Sequence, residues 1–215
     1  MSKSWSIKQL EEFGRTRLSK NFFMREMLYS EIAQAEGMTN APNDPDLAIF
    51  AGRNLCEKVL EPIQDVWGRI AIRSALRNEE VNDFGNKNKL GCSSNEFSYA
   101  NHIWDRRDRK GFAGATATIV IPSYIDYFEA TGDFASLAWW IYHHIPDVHD
   151  LWFFPRYCAF NISWYEGDQS GRYIKTYVEN PHTSDKKSLL INDTVHPHYA
   201  QMEPEQRYEA CLKLI

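Results

Sequence analysis

The sequence lacks the features that mark several large classes of protein. None of its four cysteines forms a Cys-x-x-Cys pair, so neither a zinc knuckle nor a disulfide scaffold is indicated, and we predict buried free thiols. The longest nearly apolar run, residues 113–122, is too short to cross a bilayer. Charged residues interrupt the first twenty positions, which excludes an apolar signal-peptide core. The sequence therefore predicts a cytoplasmic protein with no membrane partner.

An excess of basic residues is also missing. The chain has 24 Lys and Arg against 29 Asp and Glu, a formal net charge of −5, which argues against a general nucleic-acid binder. Hydrophobic residues make up 43% and charged residues 25%, the usual proportions of a globular protein. Aromatic residues are abundant at 14%, which indicates a well-filled core or an aromatic-lined groove. A length of 215 residues favours a single domain.

Helical spacing of hydrophobic residues is clearest in the middle of the first half. The longest helix is predicted to begin at Asp44 or Asp46, with Pro45 in its first turn, and to end at Gly68. Its apolar positions recur every three or four residues, at Ala48, Leu55, Val59, Ile63 and Val66. Further helices are predicted at Ile7–Phe13, Met24–Ser30 and Asp133–His144.

Alternating and β-branched segments follow, and they predict strands at about residues 70–74, 117–121, 158–165 and 172–178. The last two are expected to pair as a hairpin, and residues 82–95 are expected to form an irregular loop. Helices that precede strands indicate an α+β fold, an antiparallel sheet with helices packed on one side. We expect one domain over residues 1–215, with its core at about 20–178. A polar extension over 181–215 either wraps this core or is partly mobile.

Five stretches resemble, in order, motifs of the zinc DD-peptidase family. This family comprises the D-alanyl-D-alanine carboxypeptidases, the L-alanyl-D-glutamate endolysins and the hedgehog-type domains. The stretches are Phe22–Ser30 ("F-x-x-x-E-x-x-x-S"), Asn40–Pro42 with Val59–Ile63 ("vLePiR"), Ile70–Arg77 ("I-x-S-G-Y-R-S") followed by Asn82, Gly114–Pro122 ("G-x-A-x-D-I-x-x-P") and Ala159–Trp164 ("W-V-H-I-S-Y"). The resemblance implies the hedgehog/DD-peptidase fold over about residues 20–178.

The residues that would hold zinc in this family are replaced here. The family uses a His and an Asp from Ser-x-His-x-x-Gly-x-Ala-x-Asp and a His on the last strand. Thr118 stands at the Asp position and Asn161 at the last His position, and neither brings anionic charge or an imidazole to zinc. No Glu lies between Glu129 and Glu166, so the general base is also missing. We therefore expect no metal and no cofactor, with zinc as the alternative.

One polar cluster, Asn101–Lys110, precedes the Gly114 strand. In one interpretation, His102 with Asp105 or Asp108 forms a relocated metal or acid–base site, since a carboxylate that orients an imidazole serves both roles. In the other, the charges form a solvated loop and His102 and Trp104 pack beneath it. The sequence leaves both open.

The candidate binding residues are Arg77, Asn82, His102, Asp105 and Asp108. Arg77 either binds a substrate carboxylate through two hydrogen bonds or forms a structural salt bridge. Because the resemblance places Arg77 and the His102 segment beside the groove, we predict that His102, Asp105 and Arg77 face one cleft.

Three functions remain compatible with the sequence. The first is a non-catalytic protein of DD-peptidase fold that binds a peptide or peptidoglycan fragment in the former active-site groove. The second is a metallopeptidase or peptidoglycan hydrolase rebuilt around His102 and the Asp105/Asp108 pair. The third is a structural or interaction protein of phage or prophage type. The sequence gives no oligomeric state.

Overall fold

The long helical segment begins as its sequence predicts. In the computed structural model, which describes residues 5–184, 188–191 and 194–215, the side chain of Asp44 accepts a hydrogen bond from the backbone of Leu47 and caps the helix. Pro45 occupies the first turn, where its missing N–H costs nothing. A π-helical stretch, Cys56–Leu60, interrupts the segment just before Pro62, and Gly68 ends it with a φ of +76°.

The described helices and strands alternate little in the first half of the chain and more in the second. The helices are α1 Ile7–Gly14, α2 Met24–Met27, α3 Glu31–Ala35, α4 Pro45–Leu55, α5 Glu61–Trp67, α6 Glu79–Lys87, α7 Asn95–Ser98, α8 Pro122–Thr131, α9 Ala135–His144, α10 Pro197–Ala200 and α11 Glu209–Leu212. The strands are β1 Ala71–Ser74, β2 Gly114–Val120, β3 Asp150–Phe153, β4 Phe160–Tyr165, β5 Tyr173–Thr176, β6 Ser188–Ile191 and β7 Thr194–Val195. Short 3₁₀ turns cover Gln169–Gly171 and Pro204–Tyr208.

The predicted α+β class is confirmed, but the sheet is mixed and not purely antiparallel. Its strand order is β1-β2-β4-β3-β5-β6-β7, and β3 runs parallel to β5. The expected hairpin between residues 158–165 and 172–178 is wrong because β3 lies between them and pairs with both β4 and β5. Leu151 and Phe153 of β3 are fully buried, and the strand lies in the interior of the sheet. Its four residues are too few for their pattern to predict a strand from the sequence.

The two faces of the sheet have different chemistry. On one face, Ala115, Ala117 and Ile119 of β2 join a hydrophobic core with the buried sides of α4, α5 and α9. The opposite face of β2 presents Thr116 and Thr118. Because side chains alternate along a strand, one face of β2 packs against the helices and the other is polar. The candidate functional site lies on the polar face.

Three local predictions differ from the structure. Residues 82–95, predicted as an irregular loop, lack regular structure only over 88–94, since α6 runs to Lys87 and is capped by the Asn78 side chain. The helix predicted at Met24–Ser30 is only the one-turn α2. Val66, expected in the apolar stripe of the long helix, is 45% exposed, whereas the other four stripe residues are buried. Ile63 stays buried after the π-helical stretch, and the stripe continues four residues later at the buried Trp67, so Val66 lies on the outward face.

The described part of the C-terminal extension packs on helix α9. Tyr199, Tyr208 and Cys211 are buried there, and the Tyr199 ring lies 5.3 Å from that of Trp139. Residues 185–187 and 192–193 of the extension lie outside the described residues. All four cysteines are free and buried, as predicted. In the described ranges, no helix has the length and apolar character needed to cross a membrane.

A buried asparagine holds three segments of the chain together. The Nδ2 of Asn40 donates to the carbonyl oxygens of Leu28 (2.9 Å) and Leu76 (2.8 Å). Its Oδ1 accepts from the backbone N–H of Asn78 at 2.9 Å. The side chain thereby fixes the backbone on both sides of Arg77.

Replacing this residue tests its structural role. We expect Asn40→Ala to lower the free energy of unfolding by about 2–4 kcal/mol, because three buried backbone groups lose their partner. The matched control is Asn88→Ala, whose exposed Nδ2 donates only to the carbonyl of Phe84. That variant should change stability by no more than about 0.5 kcal/mol in urea denaturation. Equal losses in both variants would contradict the assignment.

Candidate functional site

The polar face of the sheet forms the floor of a cleft of about 690 Å³, here called the sheet cleft. It is lined by residues from five strands and from the segments after β1 and before β2, among them Arg77, His102, Thr118, Trp152, Asn161 and Tyr177. A second cleft of about 410 Å³, the side cleft, shares Phe97, Asn101, Asp150 and Tyr173 with it. The two clefts are therefore continuous along the sheet.

Arg77 is held in the sheet cleft by the backbone around it. Its N–H donates to the carbonyl of His102 at 2.8 Å, and the N–H of Leu76 donates to the carbonyl of Met27 at 3.0 Å. The guanidinium donates from Nη1 to the Cys92 sulfur at 3.2 Å, while its Nε is buried without a hydrogen-bond partner among the described residues. Burial lowers the pKa of Arg77, although an arginine side chain stays protonated in proteins.

His102 lies beside Arg77 and is neutral. The ring is 8% exposed, and its Nδ1 lies 2.8 Å from the carbonyl oxygen of Ala75. A carbonyl oxygen only accepts, so Nδ1 carries the proton. Burial and the nearby Arg77 charge lower the pKa of His102 to about 3, and the bond to Ala75 only partly opposes them.

The segment that carries His102 is anchored by Trp104. This indole is fully buried, and its Nε1 donates to the carbonyl of Thr116 at 3.2 Å. The backbone of Thr116 in turn donates to the carbonyl of Asn101 at 3.0 Å. Trp104 does pack beneath the charged cluster, as the second interpretation of the sequence holds, while His102 opens onto the cleft.

Asp105 does not face the sheet cleft, and this part of the shared-cleft prediction is wrong. Its carboxylate is 1% exposed and accepts the backbone N–H groups of Asn43 (2.6 Å) and Asp44 (3.4 Å). Burial raises the pKa of Asp105 more than these bonds lower it. The residue holds the turn that precedes α4.

Asp108 lines the side cleft instead of joining His102. It accepts the Tyr165 hydroxyl at 2.6 Å and the backbone N–H groups of Lys110 and Phe112. Burial alone would raise the pKa of Asp108, but these hydrogen bonds outweigh it and hold the pKa below its usual value. Across the described ranges, no three His, Cys, Asp or Glu side chains are grouped to hold a metal ion.

Asn82 is fully buried and lines neither cleft. Its Nδ2 donates to the Ser93 carbonyl at 3.0 Å and to Asn95 Oδ1 at 2.9 Å. It therefore positions the segment that brings Ser93 and Phe97 to the rim of the sheet cleft.

The charge of the sheet cleft is opposite to that of the whole chain. Its lining contains three arginines, Arg73, Arg77 and Arg156, and one acid, Asp150. None of the three arginines makes an ion pair with any residue that the structure describes. Asp150, in contrast, is 7% exposed and accepts the hydroxyl of Ser163. The unpaired charge in the cleft is therefore positive.

Aromatic side chains surround this charge. Phe97, Tyr157 and Tyr177 line the sheet cleft and are 81%, 49% and 59% exposed. Tyr157 and the next residue, Cys158, both have positive φ, 57° and 49°. Such strained backbone in non-glycine residues costs of order 1–3 kcal/mol each, and it occurs here in the loop that places Tyr157 at the rim.

Thr118 and Asn161, which the sequence resemblance aligns with zinc-ligand positions, meet in this cleft. The register pairs Thr118 of β2 with Asn161 of β4, and the Thr118 hydroxyl donates to Asn161 Oδ1 at 2.6 Å. Both side chains are neutral, and this bond uses one of the two lone pairs of the amide oxygen.

Sequence reasoning missed most of the lining. Arg156, Trp152 and Tyr173 come from β3, the loop after it and its neighbour β5, whereas Arg73 lies on the edge strand β1. One signal was present: Thr116 and Thr118, like Asn161 and Ser163, are polar residues two apart in otherwise apolar strands. Such spacing indicates a polar sheet face.

Comparisons of this chain with protein-family models, with curated proteins and with solved structures give no match.

The neutral state of His102 predicts a pH dependence of stability. Its folded pKa of about 3 lies below the unfolded value of about 6.5, so the unfolded chain binds the proton more tightly. The stabilisation is complete above pH 6.5 and is lost as the pH falls toward 3. Between pH 7 and 4.5 this one group should remove about 2 kcal/mol of the free energy of unfolding.

The variant His102→Asn isolates this contribution, since an amide keeps a donor toward the Ala75 carbonyl and does not titrate. Urea denaturation of both proteins at pH 7, 5.5 and 4.5 should show a flatter pH dependence for the variant. The ring signals of His102 in NMR spectra of the unmutated protein should not titrate between pH 5 and 8. A midpoint near 6.5 would show that the site is open to water.

Proposed function

We propose that the protein is a non-catalytic member of the DD-peptidase fold that binds the free carboxylate end of a peptide or peptidoglycan fragment in the sheet cleft. The proposal rests mainly on Arg77. Its guanidinium is largely buried, lines an open cleft and has no carboxylate partner among the described residues. Buried charges in proteins are normally paired, so a missing partner points to an anionic ligand.

The surroundings of Arg77 favour a carboxylate on an organic ligand. Arg73 and Arg156 add positive charge to the same cleft, and planar guanidinium groups bind carboxylates through two parallel hydrogen bonds. The rim of Phe97, Tyr157 and Tyr177 offers apolar surface for the rest of the ligand. A volume of about 690 Å³ suits a short peptide segment rather than a bare anion.

The resemblance to the DD-peptidases supports the same location. Thr118 and Asn161, which stand where that family has an Asp and a His, lie side by side on the floor of the sheet cleft. Their mutual hydrogen bond and their neutral chemistry give zinc no anionic or imidazole ligand. The rebuilt site around His102, Asp105 and Asp108 has no such support, because the two carboxylates are bonded elsewhere.

Binding of acetylated dipeptides tests the carboxylate proposal. Nα-acetyl-alanyl-alanine, made from either L- or D-alanine, should bind at least about tenfold more tightly than its C-terminal amide. Arg77→Met keeps most of the side-chain volume and should weaken binding of the acid by about 10- to 100-fold. Isothermal titration calorimetry measures both effects.

The control for this experiment is Arg53→Met, an exposed arginine on α4 that does not line the sheet cleft. It should leave the affinity unchanged. Equal binding of acid and amide, or equal losses in the two arginine variants, would refute a role of Arg77 in carboxylate binding.

The non-catalytic part of the proposal predicts the metal content. Protein purified without chelators and dialysed against zinc-free buffer should contain less than about 0.1 zinc per chain by elemental analysis, since two of the family's ligand positions hold neutral side chains. The same acetylated dipeptides should stay intact by mass spectrometry after prolonged incubation with added zinc. Stoichiometric zinc, or peptide cleavage that Asn161→Ala abolishes, would overturn this prediction.

A further inference from the structure

The sheet cleft places a hydrogen-bond acceptor next to its cationic donor. Because Nδ1 of His102 donates to the Ala75 carbonyl, the lone pair of this ring is on Nε2. Nε2 makes no hydrogen bond with any residue in the described ranges, and the ring lines the cleft while more than nine-tenths of it is buried. The floor therefore offers an acceptor whose partner is not supplied by the protein.

Arg77 and His102 are joined through their backbones, and each side chain has its own protein contact, Cys92 for Arg77 and Ala75 for His102. The N–H of Arg77 donates to the carbonyl of His102 at 2.8 Å, and the guanidinium is near enough for its charge to lower the pKa of the imidazole. Arg77 can only donate and carries a positive charge, whereas neutral His102 presents only its lone pair on this side. A ligand that forms hydrogen bonds with both side chains must therefore carry an anionic acceptor next to a neutral donor.

Thr116 is an independent sign that this floor lacks a partner. Its side chain is 1% exposed and lines the same cleft, yet its Oγ1 has no hydrogen-bond partner among the described residues. Buried hydroxyl groups are normally hydrogen-bonded, and an exception needs an explanation. The hydroxyl itself has almost no accessible surface, so a ligand over β2 would reach it only through a water molecule or a small shift of the Thr116 side chain.

The last residue of a peptide has the required arrangement, because its amide N–H and its carboxylate are separated by a single carbon atom. We propose that His102 Nε2 accepts the N–H of the last peptide bond of a ligand whose carboxylate is bound by Arg77. The cleft then recognises the C-terminal residue of a peptide and not carboxylates in general. This inference rests on the proposed function and adds the residue that determines its specificity.

An ester analogue tests this directly. In the depsipeptide Nα-acetyl-alanyl-lactate, an oxygen replaces the last N–H and turns a donor into an acceptor that faces the imidazole lone pair. The unmutated protein should bind the depsipeptide at least about tenfold more weakly than the acetylated dipeptide. In His102→Asn, which keeps the donor toward Ala75 and loses Nε2, the two ligands should bind within about twofold of each other. Calorimetry measures these four affinities for each alanine configuration.

The outcomes separate this inference from the proposed function. If the dipeptide acid binds more tightly than its C-terminal amide but the depsipeptide binds as well as the dipeptide, the role of Arg77 stands and that of His102 is overturned. If neither the acetylated dipeptides nor the depsipeptides bind at millimolar concentration, the proposed function and this inference are both overturned. The preference for the amide N–H should be the same at pH 5.5 and 8. A preference that changes between these two values would show a protonated imidazole that donates instead, and would also overturn the inference.

Discussion

The burial of Trp104 between helix α4 and strand β2 is the contact on which the candidate site depends. A Cβ on Gly52 of α4 would lie 2.9 Å from the Trp104 ring, so the helix approaches the indole as closely as glycine allows. On the other side, Trp104 Nε1 donates to the Thr116 carbonyl of β2. The helix, the strand and the segment that carries His102 are thereby locked together, and the imidazole is held over the polar sheet face.

Buried polar side chains connect the segments around the core. Asn40, Glu61 and Asp105 bond to backbone or side-chain donors of other segments and thus fix the turns that surround the core. Among the described residues, Arg77 Nε and Thr116 Oγ1 in the sheet cleft are buried without partners, as are atoms outside the cleft such as Asp105 Oδ1 and Asn82 Oδ1. Leaving such groups unpaired costs about 1–3 kcal/mol each.

Local chemistry made parts of the fold predictable. Capping by Asp44, the proline in the first turn of α4 and the β-branched residues of β2 act within a few positions, so the sequence alone indicates these elements. Arg77 and His102 were both identified as candidates, because the resemblance places their two segments beside the groove. Asp105 was identified by the same argument but turned inward to the amides of Asn43 and Asp44, a contact across about sixty residues that no local pattern encodes.

The sequence by itself determined the α+β class and the polar alternation of β2 and β4, because each follows from residue type and short-range spacing. The tertiary structure alone decided that β3 separates β4 from β5, that Arg73 and Arg156 join Arg77 in one cleft, and that Asp108 faces the side cleft. Strand order and cleft lining depend on contacts between distant segments. Those contacts are set by which surfaces bury the most apolar area together, a property of the whole chain.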